Sequence, residues 1–514
     1  MIDKRKIALA AGSSITQTLV GGLTTFILFR YILETIGPEK LGIWSLVIAA
    51  SSMIQVANLG LSGSIVKHVA DCDAIGDKKK MSVVIQTAVI SIALFTLVLI
   101  LGAYPGAKAY FGFTLDSVSC GDAVEILPMA LLAFLAYMIA AVYQGAMYGC
   151  QLIVHRNVIL MTDSISYLVL SVMLMPSYGL PGLAYARLAQ NCFTLVLTVV
   201  LLRRYIPQLP LFPVRWSKSR FKEMFAYAAN FQIVSLLVML ADPITKGFLS
   251  KYGNISMVGY YEIANRMLQI FRALLVNANQ VLVPVFAHLE KLDPKKISGA
   301  YIASYQIVFY LTVPGFCLLA ISGPLISEAM IGRYEPFFVW SVIVLCAGWS
   351  INTLAVPAYF ASMGAGTMKA NVVSHIVMTG VNLLLIYVLG SLWGAEGVIL
   401  AWGWALALGG VVLNMMYFRA YEISWRGVVP KASRLLTLLC LVGLGVAYGF
   451  GRQMSDVESS MINNLSWTAA AAKFAATGSM ILIFVAIVAV PVWAHPVRRK
   501  LWGLINTTRS PNVI

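Results

Sequence analysis

Five charged side chains lie on the two arms of one apolar stretch, residues 229–287, and each arm is long enough to cross a bilayer. An ionisable side chain in hydrocarbon costs at least about 2.5–3.5 kcal/mol, so such residues are usually paired or functional. Two pairs have the i,i+4 spacing of partners on one helix, which makes local charge balance one interpretation. Contact with a polar solute is the other. The five residues are Asp242, Lys246, Glu262, Arg266 and Arg272.

The second arm carries a polar stripe. Its members are spaced by 4, 3, 8 and 3 residues, which on a helix places them within about 60° of one line over about 27 Å. Such a stripe must face protein or water rather than acyl chains. The opposite face is apolar and suited to packing or to lipid. The stripe consists of Glu262, Arg266, Gln269, Asn277 and Gln280.

Cations outnumber carboxylates among the candidate cavity residues. Arginine binds phosphate and carboxylate groups in a bidentate manner, so this excess favours an anionic solute. Arg30 and Lys246 also fit the alternative of long side chains that extend to the outer interface. The predicted substrate-binding residues are Arg30, Arg187, Lys246, Glu262, Arg266, Gln269, Arg272, Asn277 and Gln280.

The carboxylates suggest how transport is energised. The chain has no nucleotide-binding motif, so energy has to come from an ion gradient, the membrane potential or removal of the product. Asp242 is the candidate for ion coupling, and Glu262 is similarly placed. Local charge balance remains the alternative for both.

The composition is that of an integral membrane protein. Of the 514 residues, 60% are hydrophobic and 11% charged, and the mean hydropathy is +0.83. We predict an all-α fold of about 14 transmembrane helices. The predicted spans are 7–29, 42–65, 82–105, 124–148, 157–177, 181–202, 223–247, 257–287, 299–325, 337–363, 368–389, 395–418, 433–451 and 467–493.

The net charge of +16 follows the predicted topology. Most lysines and arginines lie on one side of the predicted spans, as the positive-inside rule requires. This pattern predicts a multi-pass protein of the cytoplasmic (inner) membrane with both termini in the cytoplasm. The basic charge is thus explained by topology and some affinity for anionic headgroups, and no nucleic-acid partner is expected.

An internal repeat organises the spans. Glycines and their surroundings recur at a nearly constant offset, which indicates two copies of a six-span unit, 1–210 and 217–420. Because six is even, both copies enter the membrane in the same orientation, with a shared cavity expected between them. Residues 432–493 form an additional two-helix appendage and 494–514 a cytoplasmic tail. The pairs are Gly37/Gly253, Gly42/Gly259, Gly179/Gly394 and Gly182/Gly397.

No catalytic or metal site is predicted. The seven cysteines and five histidines share no ligand spacing, and we find no HExxH or GxSxG motif. The loops are too short for a catalytic domain. We therefore expect neither enzyme activity, nor a metal, nor a cofactor.

The sequence resembles a known family in several segments. GPEKLGIWSL from Gly37 is followed by VANLGLSGSIVKHVADCDAIGDKKK, and VGYYEIANRMLQIFRALLVNANQVLVPVFA lies in the second repeat. These resemble the Wzx-type polysaccharide flippases, a branch of the MATE-like superfamily that also contains drug exporters and lipid II flippases. The resemblance covers spans one to twelve.

The resemblance implies a two-lobed, alternating-access protein. Its substrate would be an undecaprenyl-diphosphate-linked oligosaccharide that serves lipopolysaccharide O-antigen, capsule or exopolysaccharide assembly, alongside polysaccharide polymerase and glycosyltransferase machinery. Two alternatives remain open. A MATE-type antiporter of small molecules shares the architecture but is disfavoured by the cationic cavity. A membrane polysaccharide polymerase or ligase needs a large external loop with Arg, His or Asp, which 107–122 and 452–464 lack.

Overall fold

The computed structural model describes most of the first 446 residues of the chain. The described residues are 4–58, 61–228, 232–280, 282–293, 296–429, 431, 433–443, 445–446, 478, 481–482, 484–489, 492–493 and 497–498. The predicted appendage, 432–493, is therefore described only in part, and the predicted tail, 494–514, lies almost entirely outside the described residues.

The described residues form helices and no strands, which confirms the predicted all-α class. The helices are α1 Lys4–Ser52, α2 Leu61–Ala74, α3 Lys78–Thr114, α4 Ser117–Gly149, α5 Ile153–Tyr205, α6 Lys218–Ala228, α7 Gln232–Tyr252, α8 Ile255–Asn279, α9 Leu282–Leu292, α10 Ile297–Ile321, α11 Gly323–Ile331, α12 Pro336–Thr353, α13 Val356–Gly364, α14 Lys369–Ala420, α15 Trp425–Val428 and α16 Ser433–Gly443.

Seven helical segments of the described residues are long and apolar enough to cross a membrane. Three of them, Gly12–Val56, Ile153–Tyr205 and Lys369–Ala420, have 45, 53 and 52 residues. Each of these three is about twice the length that one crossing needs. The structure therefore supports a multi-pass membrane protein, while the predicted count of fourteen spans is not confirmed.

A glycine turns the chain inside each of the three long helices. Gly37, Gly179 and Gly394 have non-helical backbone angles, with φ of 81°, 59° and 58°. Positive φ is open to glycine but costly for other residues. These positions coincide with the boundaries predicted between spans one and two, five and six, and eleven and twelve.

The last two corners share one geometry. Gly179 and Gly394 have ψ of −131° and −137°. A Cβ on Gly182 would lie 2.6 Å from the Leu174 carbonyl oxygen, and one on Gly397 would lie 1.9 Å from that of Leu389. Leu389, Gly394 and Gly397 each follow their first-copy counterparts, Leu174, Gly179 and Gly182, by 215 residues. The same tight corner thus stands at equivalent places in the two proposed repeats.

Two predicted spans are interrupted. The second, 42–65, comprises the end of α1, a 3₁₀ turn at Met53–Asn58 and the start of α2. The eighth, 257–287, is split because α8 ends at Asn279 and α9 begins at Leu282. The sequence did not indicate these interruptions, because apolar composition sets the length of a crossing but does not show where its hydrogen-bond ladder stops.

By internal contacts the chain divides into two compact units, Met1–Glu262 and Ile263–Ile514. The first unit therefore includes α7 and the start of α8, which belong to the second copy of the sequence repeat. The compact units and the sequence repeats therefore have different boundaries. The domain boundaries predicted from the repeat stay a prediction.

Each unit has its own apolar core. In the first, side chains of α2, α3, α4 and α5 meet around Met81, Ile85 and Tyr143, all buried. In the second, Tyr301 stacks on Tyr417 with ring centroids 4.5 Å apart. The Tyr301 hydroxyl donates a hydrogen bond to Asn414 Oδ1 at 3.0 Å.

Within the first unit, α1 and α8 cross at two glycines. A Cβ on Gly42 would lie 2.0 Å from the carbonyl oxygen of Ile255, and one on Gly259 would lie 2.4 Å from that of Pro38. The contact is reciprocal, because Gly42 and Gly259 are repeat equivalents, as are Pro38 and Ile255. The glycines allow the two helices to meet backbone to backbone.

We expect Gly42→Ala to lower the melting temperature of the purified protein by several degrees. The added methyl group would overlap the Ile255 carbonyl, and such overpacking typically costs about 1–3 kcal/mol. The control is Gly106→Ala in α3, where a Cβ meets nothing within 4 Å. Equal melting temperatures for the two variants, measured by fluorescence-monitored thermal unfolding, would contradict the close crossing.

Candidate functional site

The polar stripe lies on the exposed face of α8. Arg266, Gln269 and Asn277 are exposed, as is Gln280 just beyond the helix end. The opposite face is packed inside the protein: Tyr260, Ile263, Leu268 and Leu275 are buried. Because hydrocarbon would penalise this exposed polar face, it has to border water or a polar solute.

Amide groups mark the end of α8. Gln280 Nε2 donates to Asn277 Oδ1 at 3.3 Å, and Asn279 Nδ2 donates to the Leu275 carbonyl oxygen at 2.7 Å. These side chains provide hydrogen-bonding groups where the helical ladder stops. Non-helical backbone at membrane depth is tolerated where it is buried in protein or borders water, so the break supports a wet location.

Lys246 is buried and paired with two carboxylates. Its side chain is 4% exposed, and Nζ lies 2.7 Å from Asp242 Oδ2 and 2.8 Å from Glu262 Oε2. Ser45 Oγ donates to the same Glu262 oxygen at 3.0 Å. The Asp242/Lys246 pair suggested by the sequence is present, whereas Glu262 is bound by Lys246 and Ser45 rather than by Arg266.

The cluster stands next to the glycine crossing. Ser45 and Glu262 are separated by 217 residues, the offset that also relates Gly42 to Gly259. Equivalent residues of the two repeats therefore face each other here, one a hydroxyl and the other a carboxylate. The buried charge of Lys246 stabilises a contact between α1, α7 and α8 at this point.

Arg30 and Arg187 lie elsewhere in the first unit. Arg30 Nε is 2.9 Å from Glu34 Oε1, and both side chains are more than half exposed. The Arg187 guanidinium lies 4.9 Å from the centre of the Tyr167 ring, a cation–π contact. The charge of Arg30 is thus partly neutralised by Glu34, whereas Arg187 contacts an aromatic ring.

Arg272 is a desolvated cation inside the second unit. Its Nη2 donates to Asn352 Oδ1 at 3.3 Å, and its guanidinium lies 4.7 Å from the centre of the Trp349 ring. Its Nε is buried without a hydrogen-bond partner among the described residues. No described carboxylate pairs with it, so Arg272 retains a positive field that suits an anion.

The sequence reasoning missed one polar group, Asp163 of α5. Its carboxylate accepts hydrogen bonds from Thr194 Oγ1, at 2.6 Å, and from Gln190 Nε2. The available signal was the single carboxylate within the predicted span 157–177. Among the described residues, no group of three or more His, Cys, Asp and Glu side chains could hold a metal ion.

The comparisons with known proteins give one family match and several matches of fold. A family model described as "polysaccharide biosynthesis protein" matches residues 35–334, more than half of the chain. A comparison with curated protein sequences found no match.

Solved transporters share the fold at low sequence identity. The lipid II flippase MurJ in an inward closed conformation is similar with a TM-score of 0.69 and 13% identity, over 93% of this chain and 98% of that one. An inward-facing MATE multidrug resistance transporter of the MOP superfamily is similar with a TM-score of 0.68 and 15% identity, over 78% of this chain and 94% of that one. For a MOP superfamily transporter from Pyrococcus furiosus the TM-score is 0.61 and the identity 14%, over 80% of this chain and 95% of that one.

Proposed function

Because this chain belongs to the family of polysaccharide biosynthesis proteins, we propose that it flips a lipid-linked oligosaccharide. The substrate would be an undecaprenyl-diphosphate-linked oligosaccharide, moved from the cytoplasmic to the outer leaflet of the cytoplasmic membrane. Such a step supplies O-antigen, capsule or exopolysaccharide assembly, so glycosyltransferases and a polymerase are the proposed partners. The chain would act as a transporter of the Wzx type and not as an enzyme.

The observation that carries this proposal is the exposed polar face of α8. Arg266 lies on it without a described carboxylate partner, and amide side chains continue the face to Gln280. A guanidinium forms paired hydrogen bonds with phosphate oxygens, and amides bind sugar hydroxyls. The face therefore offers both kinds of contact that a diphosphate-linked sugar requires.

The length of this face also suits a flippase. From Glu262 to Gln280 it extends about 27 Å at 1.5 Å per residue, close to the roughly 30 Å of the hydrocarbon core. A headgroup that moves along it meets exposed polar side chains at two levels, Arg266 with Gln269 and Asn277 with Gln280. The polyprenyl tail can remain in the bilayer meanwhile.

The other predicted residues receive different proposed roles. Arg272 adds positive charge deeper in the second unit, and Arg187 adds it in the first. Lys246, Asp242 and Glu262 form an ion-paired cluster of one cation and two carboxylates, which we propose to hold helices together rather than to bind the substrate directly. Arg30, paired with Glu34, belongs to the exposed rim.

The competing function is export of small cations, since MATE transporters share the fold. An exporter of cations requires a net negative binding surface. The exposed face of α8 carries Arg266 and amides, and its one carboxylate, Glu262, is bound by Lys246. The charge of this face therefore supports an anionic substrate.

Reconstitution into liposomes tests the proposal. A fluorescent undecaprenyl-diphosphate oligosaccharide is placed in both leaflets, and a membrane-impermeant quencher is then added outside. We expect quenching to proceed beyond half of the label in proteoliposomes and to stop at half in empty liposomes. Identical traces in both, together with exchange of a fluorescent small cation, would replace the flippase proposal by the antiporter.

The proposed topology has its own test. Reporter fusions at either terminus should show cytoplasmic activity, because the basic segments flanking the helices favour retention on that side. Alkaline phosphatase fused after residue 514 should be inactive, and a fluorescent protein fused there should fluoresce. The reverse pattern would contradict the assignment of both ends to the cytoplasm.

A further inference from the structure

The chain that joins the two proposed repeats is bound to the side of α3. This joining segment, residues 206–217, lies between the end of α5 and the start of α6. Gln86 of α3 is buried, and its Oε1 accepts hydrogen bonds from the backbone N–H groups of Val214 and Arg215, both at 3.0 Å. The joining segment therefore follows the surface of α3 instead of extending into water.

Two hydroxyl groups of α3 continue this contact. Thr87 Oγ1 accepts from the Ser217 backbone N–H at 3.2 Å, and Ser91 Oγ accepts from Trp216 Nε1 at 3.0 Å. Non-helical backbone next to a membrane helix is tolerated where its polar groups have partners. Because polar side chains of an otherwise apolar helix provide those partners, the joining segment can lie against the bilayer.

The second unit contains a connection of the same kind. Ser82 Oγ at the start of α3 donates to the Gln208 carbonyl oxygen at 3.0 Å. Ser298, which follows Ser82 by 216 residues, lies at the start of α10 and donates to the Tyr421 carbonyl oxygen at 3.4 Å. In each unit the chain that leaves a long helix thus returns to the third predicted span of its own repeat. The course of the joining segment is therefore a feature of the fold and not of one loop.

The outer side of the joining segment is apolar. Four large side chains within six residues are between 50% and 74% exposed: Leu211, Phe212, Val214 and Trp216. Exposed apolar groups packed this densely mark a surface that contacts a partner or a membrane. Tryptophan is enriched where the hydrocarbon of a bilayer meets its headgroups. These four side chains therefore suit contact with the upper part of the acyl chains.

Cations border this apolar surface. Residues 203–222 include six lysines and arginines and no aspartate or glutamate. Arg220 is paired with Glu223 at 2.8 Å. The other five are exposed, and none of them forms an ion pair with a carboxylate of the described residues; they are Arg203, Arg204, Arg215, Lys218 and Lys222. Basic groups next to a membrane helix attract anionic headgroups.

From this geometry we infer that the joining segment and the first turn of α6 bind an anionic phospholipid of the cytoplasmic leaflet, of the charge of phosphatidylglycerol. The exposed apolar side chains contact its acyl chains, while Arg215 and Lys218 pair with its phosphate. An acidic soluble partner would use the cations alone and would leave Phe212 and Trp216 in water. The inference concerns the bilayer around the protein and not the transported substrate, so it does not depend on the proposed function.

Lipid binding to the purified full-length chain tests the inference. Native mass spectrometry of the delipidated protein in detergent measures binding of phosphatidylglycerol and of phosphatidylcholine, and we expect the wild type to prefer the first. Each cation near an anionic surface contributes a factor of about five, so the double variant Arg215→Gln, Lys218→Gln should bind phosphatidylglycerol about 25-fold more weakly. Its melting temperature should match the wild type, because both side chains are exposed.

A matched variant controls for the loss of charge. Lys108→Gln, Lys369→Gln removes two exposed cations outside the joining segment and should leave binding of phosphatidylglycerol unchanged. Equal affinity of the wild type for the two lipids, or equal weakening in the two double variants, would overturn the inference.

A second arm locates the bound lipid. Bromine atoms on acyl chains quench the fluorescence of tryptophans that they contact. In proteoliposomes, brominated phosphatidylglycerol should quench the wild type more strongly than brominated phosphatidylcholine does, and Trp216→Phe should remove that difference. An undiminished difference in Trp216→Phe would show that the anionic lipid binds elsewhere and would overturn the assignment to the joining segment. Because neither arm measures flipping, failure here is distinct from failure of the flippase proposal.

Discussion

Replacing Lys246 with methionine should lower the free energy of unfolding by about 3 kcal/mol, the order seen when one partner of a buried ion pair is removed. The lysine is 4% exposed and holds two carboxylates at 2.7 and 2.8 Å. Without it, Asp242 and Glu262 would face each other as like charges, with Glu262 only 15% exposed. Thermal unfolding of the purified protein measures the loss.

Arg30→Met is the matched control, because Arg30 is the repeat equivalent of Lys246. Its pair with Glu34 is exposed on both sides, and exposed pairs contribute about 0–1 kcal/mol. Adding Asp242→Asn and Glu262→Gln to Lys246→Met should restore most of the lost stability, since no uncompensated charge remains. Equal melting temperatures for Lys246→Met and Arg30→Met would contradict the role of the buried cluster.

Arg266→Ala should reduce the rate of lipid-linked oligosaccharide flipping in proteoliposomes by about 10- to 100-fold. The loss of about 1.5–3 kcal/mol, the contribution of one hydrogen bond to a charged group, from the paired contact of a guanidinium with a diphosphate corresponds to such a change in rate. Because Arg266 is exposed, its removal should leave the melting temperature within a degree of the wild type. The quenching assay measures the rate.

Two variants control for charge alone. Lys108→Ala removes another exposed cation, outside the stripe, and should flip at the wild-type rate. Arg266→Lys keeps the charge but loses the planar donor pair, so an intermediate rate is expected. Equal rates for Arg266→Ala and Lys108→Ala would show that α8 does not provide the substrate contact.

Much of the fold could be predicted from the sequence, because composition indicates the fold class and the internal repeat indicates where the chain turns. Hydropathy is sufficient to indicate an all-α membrane protein. The glycine pairs showed where the chain turns: Gly179 and Gly394 have the same positive φ to within a degree. A backbone conformation that only glycine adopts readily requires glycine at that position, and here the glycine occurs at the equivalent position of both repeats.

The interior of the candidate site did not follow, because its contacts join residues far apart in the chain. Periodicity suggested Arg266 as the partner of Glu262, but Lys246 and Ser45 reach it from other helices. Asp163 was missed since its donors, Gln190 and Thr194, lie beyond the corner at Gly179. Helical spacing predicts neighbours on one helix and gives no information about which helices meet.

The central claim is that the stripe on α8 borders the aqueous path of an anionic lipid headgroup. The most direct test introduces Gln269→Cys, or Leu268→Cys on the buried face, into a variant without the seven native cysteines. A membrane-impermeant thiol reagent should modify Cys at position 269 rapidly and at 268 hardly at all. Undecaprenyl-diphosphate oligosaccharide should slow the first reaction at least tenfold. Equal reactivity at both positions, or no protection by the lipid, would contradict the account.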